Sequence, residues 1–126
     1  DGLVTGVQTC ALPIWKFLRK LRVDNNETLK DMASKMGVSV AYLSAIELGR
    51  REIPQTWNDT IYEIYKLDDA KFEEMLVEYS KSVNDIKISF EDLGEQERKI
   101  VTSFARKFSS FTEEQFKKIE KIIDSD

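Results

Sequence analysis

The chain has 126 residues, a third of them charged, with a formal net charge of −4, no histidine and a single cysteine, Cys10. That inventory excludes a disulfide framework, the usual Cys/His zinc site and histidine-based acid–base chemistry, and no stretch approaches the roughly 20 apolar residues of a membrane span. The charge is uneven: Trp15 to Leu67 carries nine Lys/Arg against seven Asp/Glu and Asp68 to Asp126 ten against fifteen, so a polyanion site is expected in the N-terminal half.

In chain order, the first segment is VTGVQTCALPI, Val4 to Ile14, which holds Cys10 and Pro13 and carries no charge. It resembles the conceptual translation of a common sequencing-library adaptor. A secretory signal would need a basic start and an unbroken apolar run, and both are missing. Residues 1–14 are therefore expected to be non-native, and Asp1 to about Pro13 to add nothing to folding or binding. On this reading Trp15 stands at a hybrid codon and the native start is lost.

Residues 15–83 break into short amphipathic helices. Phe17, Leu18, Leu21 and Val23 give the first an apolar face, ended by Asp24-Asn25-Asn26. Thr28 starts a second, Leu29 to Met36, with Asp31 as its capping-box partner, and Gly37 stops it. Ser39 caps a third, Val40 to Leu48, which ends at Gly49 with Arg50 and Arg51 beyond. After Pro54, one side of a fourth is formed by Trp57, Ile61, Ile64, Tyr65 and Leu67; Phe72, Met75, Leu76 and Tyr79 fit a fifth. In residues 84–126, Ile86, Ile88 and Phe90 alternate with Lys87 and Ser89, the period of one short strand that has no obvious partner within the chain. Two helices follow, Glu95 to about Phe108 and Thr112 to Ile123.

Helices two and three carry the functional signal. A helix-turn-helix needs a small residue where its helices touch, a glycine able to take positive φ at the turn, and apolar residues that lock one helix across the other. Ala33 is the small contact, Gly37 the turn, and Met32, Met36, Val38, Leu43 and Ile46 the lock. TLKDMASKMGVSVAYLSAIELGRREIP resembles the Cro/cI-type (Xre-type) helix-turn-helix of phage repressors and related bacterial regulators, over about Phe17 to Leu67.

The resemblance implies an all-α fold: a lambda-repressor-like bundle of four or five helices whose third helix enters the major groove of double-stranded DNA, followed by a small helical extension. It implies groove-facing roles for Ser39, Val40, Ala41, Tyr42, Ser44 and Ala45. Two departures stand out. Leu29 opens the second helix where many members have a phosphate-binding glutamine, and Val40, Ala41 and Ala45 replace the usual Gln, Asn, Arg or Lys. Such side chains pack on a thymine methyl but make no bidentate bonds to a base, so readout leans on Ser39, Tyr42, Ser44, thymine contacts and DNA shape. Tyr42 and Ser44 can bond either phosphate or a base edge, with phosphate favoured for Tyr42. Arg19, Lys20, Arg22, Lys30, Arg50 and Arg51 are the expected phosphate contacts. Glu47 is expected to pair with a base of the first helix, with Arg19 as the candidate.

The acidic second half has more apolar face than a short appendage buries alone, which points to an interface between copies of the chain or with another protein. Ile86, Ile88, Phe90, Phe104, Phe116 and Ile119 are the expected homodimer contacts, with the strand paired to its own copy. Glu73-Glu74 and Glu113-Glu114 read as solubilising charge, and neither catalysis nor a cofactor or metal is called for. The whole is read as a cytoplasmic, homodimeric repressor of a bacterial or prophage operon. The alternative is an antitoxin that binds a toxin through its C-terminal half and regulates its own operon.

Overall fold

A computed structural model describes residues 13–125. The chain divides into two compact units, Asp1–Ile86 and Lys87–Asp126. The first unit holds α1 (Pro13–Asp24), α2 (Leu29–Met36), α3 (Val40–Glu47), α4 (Trp57–Ile64) and α5 (Asp69–Ser82). All-α architecture is what the helical periodicities predict, and no strand occurs among the described residues.

Local chemistry sets the helix ends. Pro13 sits in the first turn of α1, where its missing N–H leaves no bond unmade. Ile14 follows it into the core, fully buried, and donates its backbone N–H to Ser82 Oγ at 3.0 Å. The fold therefore takes in both residues, which the sequence groups with the adaptor-like segment. The remainder of that segment lies outside the described residues. Helix α2 opens with a complete capping box: Thr28 Oγ1 accepts from the Asp31 N–H, and the Asp31 carboxylate accepts from the Thr28 N–H. Those bonds hold the Asp31 carboxyl below its ordinary pKa. The box is intact at neutral pH and is lost as the pH falls through the carboxylate range. Gly37 takes φ 71° at the other end, and the Val38 N–H returns to Ala33 O at 3.0 Å.

Helix α4 ends earlier than its apolar pattern suggests. Lys66 turns to φ 50°, so Leu67 reaches the core from beyond the helix, its N–H returning to Tyr62 O at 3.1 Å. Helix α1 lies against α5 and α3, α2 against α3 and α4, and α4 against α5. Between them Ile14, Leu18, Met32, Leu43, Ile46, Ile61 and Met75 are fully buried. Each such side chain contributes about 2 kcal/mol of burial free energy. The core also takes in Trp15, whose buried indole N–H has no hydrogen-bond partner among the described residues.

Among the described residues, one charged side chain lies in this core. Glu47 is 4% exposed, and its carboxylate accepts from Arg22 Nε at 3.0 Å and Nη2 at 3.2 Å. Arg19 Nε stands off at 3.7 Å on a half-exposed side chain. The expected Arg19–Glu47 ion pair is present, but the closer, two-pronged bond to the same carboxylate comes from Arg22. Arg22 also donates through Nη1 to Glu27 O at 3.1 Å, while the Glu27 carboxylate accepts from Tyr65 Oη and pairs with Lys35. Burial, reinforced by Glu27, pushes the Tyr65 hydroxyl above the ordinary tyrosine range.

The second unit is a pair of helices, α6 (Glu95–Lys107) and α7 (Glu113–Asp124), joined through a 3-10 turn at Phe108–Ser110. Thr112 and Gln115 form the capping box of α7. Phe104, Phe108, Phe111 and Phe116 meet edge-on or tilted, with ring centroids 5.2–6.3 Å apart. No described residue of this unit is buried. The strand expected at residues 86–90 is absent. An isolated alternating run has no ladder to join, and Arg98 binds Phe90 O at 2.8 Å and Leu93 O at 3.1 Å, which fastens the end of the run to α6.

Removing Arg22 strands a buried carboxylate, so Arg22→Met is expected to cost about 3 kcal/mol, against less than about 1 kcal/mol for Arg19→Ala. Adding Glu47→Leu to Arg22→Met should recover part of the loss. Urea unfolding followed by tryptophan fluorescence measures this in the first unit, since Trp15 and Trp57 both lie there.

Candidate nucleic-acid interface

Helices α2 and α3 cross where Ala33, 2% exposed, admits close approach, and the left-handed Gly37 reverses the chain between them. Met32, Leu43 and Ile46 are fully buried and Met36 and Val38 pack against them, so the expected lock is assembled. Its effect is to orient α3. Leu43, Ile46 and Glu47 point inward, while Ser39, Val40 and Ala41 are exposed and Ser44 and Ala45 half-exposed.

The outward ridge is short, smooth and mostly apolar. Ser39 Oγ accepts from the Tyr42 N–H at 3.1 Å as the helix cap, which leaves its hydroxyl proton free to donate. Ser44 is the other hydroxyl of the ridge. Val40, Ala41 and Ala45 offer methyl surface, suited to a thymine C5-methyl and unable to hydrogen-bond a base edge. Tyr42 lies to one side, half-buried, its ring 6.0 Å from that of Trp57 at 68°.

The six cations expected to meet phosphate fall into groups. Arg22 is committed to Glu47 and only 16% exposed, which removes it as a freely placed phosphate ligand. Arg19 is exposed but drawn to the same carboxylate. Lys20 pairs with Asp24 at 2.9 Å on the surface, a hydrogen bond that raises the lysine's pKa. Lys30 in α2 and Arg50 after α3 are exposed and form no ion pair among the described residues. Arg51 is exposed, its guanidinium carbon 5.0 Å from the centre of the Tyr42 ring. Two contributors escape the sequence reading: Glu27, which links Arg22 to Tyr65 and Lys35, and Trp57, which braces Tyr42. The first had no signal beyond its position between two helices, and the second read only as an apolar position of α4.

A short helix locked across its predecessor through an αL glycine, with a solvent-facing edge beside exposed cations, defines a helix-turn-helix module of the DNA-binding kind. The chain belongs to the helix-turn-helix domain family, whose sequence model matches residues 16–79, and is a DNA-binding regulator. No curated protein and no solved structure matches it significantly. No helix among the described residues is long and apolar enough to cross a membrane.

Replacing Lys30 and Arg50 together with alanine is expected to weaken binding to all DNA sequences alike. The slope of log K against log salt should shrink by roughly 0.9 for each phosphate no longer neutralised. Fluorescence anisotropy across a salt series measures it, and an unchanged slope would remove both residues from the interface.

Proposed function

We propose that the protein is a sequence-specific transcriptional regulator of Cro/cI type, a homodimeric repressor that lays α3 in the major groove. The carrying observation is the sidedness of α3: one face is fixed in the core through Leu43, Ile46 and Glu47, and the other is free along Ser39 to Ala41. Specificity then comes from methyl contacts, the Ser39 and Ser44 hydroxyls and DNA deformability rather than bidentate readout. Phosphate affinity comes from Lys30, Arg50 and Arg51, with Arg19 and Lys20 at the margin.

A single module makes few base contacts, and two-fold pairing multiplies them. The second unit supports a second copy as partner. Ile100, Phe104, Phe108, Phe116, Ile122 and Ile123 are exposed and Ile119 is half-exposed, an apolar surface that this two-helix unit by itself leaves to water. Ile86 and Ile88, each 59% exposed, are open to a partner as well, whereas Phe90 is held by Arg98.

Selection from a random DNA library should enrich a two-fold symmetric site, with thymines at the half-site centres and the half-sites about 34 Å apart. Failure to enrich any sequence would overturn specific regulation. By sedimentation equilibrium the full chain should be a dimer at tens of micromolar, and Phe116→Asp should shift it to monomer while leaving tryptophan-monitored unfolding of the first unit unchanged. A monomeric full chain would hand the apolar surface to another protein, as the antitoxin reading requires.

A further inference from the structure

We infer that Tyr42 is a positioning residue: its ring, braced by Trp57, holds the Arg51 guanidinium in place for a DNA phosphate, and its hydroxyl reads no base. The inference rests on the DNA-binding reading above and gives Tyr42 a different task from the one its place in α3 suggests.

Three contacts carry it. Trp57 is 7% exposed and fixed in the core, and the Tyr42 ring meets it at 6.0 Å and 68°. The Tyr42 backbone is held as well, its N–H bound to the Ser39 cap. Over the same ring lies Arg51, with the guanidinium carbon 5.0 Å from the centroid. Side chains from α3, α4 and the loop between them thus form one stack, running from the core to an exposed cation.

The physical consequence is preorganisation. Arg51 follows Gly49, which takes φ 77°, in a loop with no regular structure to fix it. A free arginine there would lose rotamer entropy on meeting a phosphate. Lying over a ring face restricts that freedom beforehand, and the guanidinium, with five N–H donors, keeps enough of them for a two-pronged bond to phosphate. The ring face also supplies electrostatic attraction in its own right. Arg50, one residue earlier, makes no such contact among the described residues and reaches phosphate without help.

A double-mutant cycle on the full chain tests this, with DNA affinity measured by anisotropy over a salt series. Arg51→Ala should reduce the salt slope by roughly 0.9. Tyr42→Phe should bind within about twofold of wild type, because the ring stays, while Tyr42→Leu should lose about two- to fivefold, the worth of an exposed cation–π pair. In the Arg51→Ala background Tyr42→Leu should cost nothing further. A Tyr42→Phe loss equal to that of Tyr42→Leu, or an equal Tyr42→Leu loss in both backgrounds, overturns the inference. Should Tyr42→Leu fail to fold, NMR of the wild-type protein decides in its place: the Arg51 side-chain protons should be shifted upfield by the ring, and unshifted protons overturn the stack. If wild-type protein binds no DNA at any salt concentration, the functional reading itself falls, an outcome distinct from a fault confined to the variants.

Discussion

The position of helix α3 depends on one ion pair, the buried Glu47 carboxylate held by Arg22. Helix α3 has eight residues, too few to be stable alone, so its orientation comes from what its inner face grips. Leu43 and Ile46 supply burial, but apolar contacts tolerate small slides and rotations. Glu47 does not, because a carboxylate at 4% exposure must keep its partner, and the Arg22 fork satisfies it in one geometry. From Arg22 the polar contacts continue to Glu27, and from there to Lys35 in α2 and Tyr65 at the end of α4. The elements around α3 are tied to each other before any DNA is present.

That pair also sorts the positive charge. The first helix is rich in cations, and by charge alone each is a phosphate ligand. Structural demands take Arg22 outright and part of Arg19, and Asp24 engages Lys20. What remains near α3 is Lys30, Arg50 and the stacked Arg51, a small set in a chain of net charge −4. Sparse positive charge limits sequence-independent attraction to DNA.

The two units are stabilised differently. In the first, seven side chains are fully buried and the tryptophans are inside; in the second, a ring of four phenylalanines packs without any described residue becoming buried. About 40 residues in two helices enclose too little volume for a core of their own. Helix α7 is well capped at Thr112, and the second unit's aromatic rings are ordered around the turn.

Helix limits at Thr28, Gly37, Ser39 and Thr112 were legible in the sequence because capping and αL termination act within about four residues. The inward faces of α2 and α3 were legible too, since helical period is a property of the chain itself. The helix-turn-helix followed from those local signals. Contacts between elements were not legible in that way. Arg19 and Arg22 lie three residues apart on one face of α1, and only the crossing of α1 with α3 decides which of them makes the close, two-pronged bond to Glu47. The same holds for the Trp57–Tyr42–Arg51 stack, and for the run at residues 86–90, whose alternation specified a strand while nothing in the chain supplied a neighbour to pair with it. The sequence by itself determined which residues form helices and which faces are apolar, because those depend on neighbours along the chain. The tertiary structure decided which charges are buried, stacked or left for DNA, because that depends on distances between side chains that the chain places far apart in number and close in space.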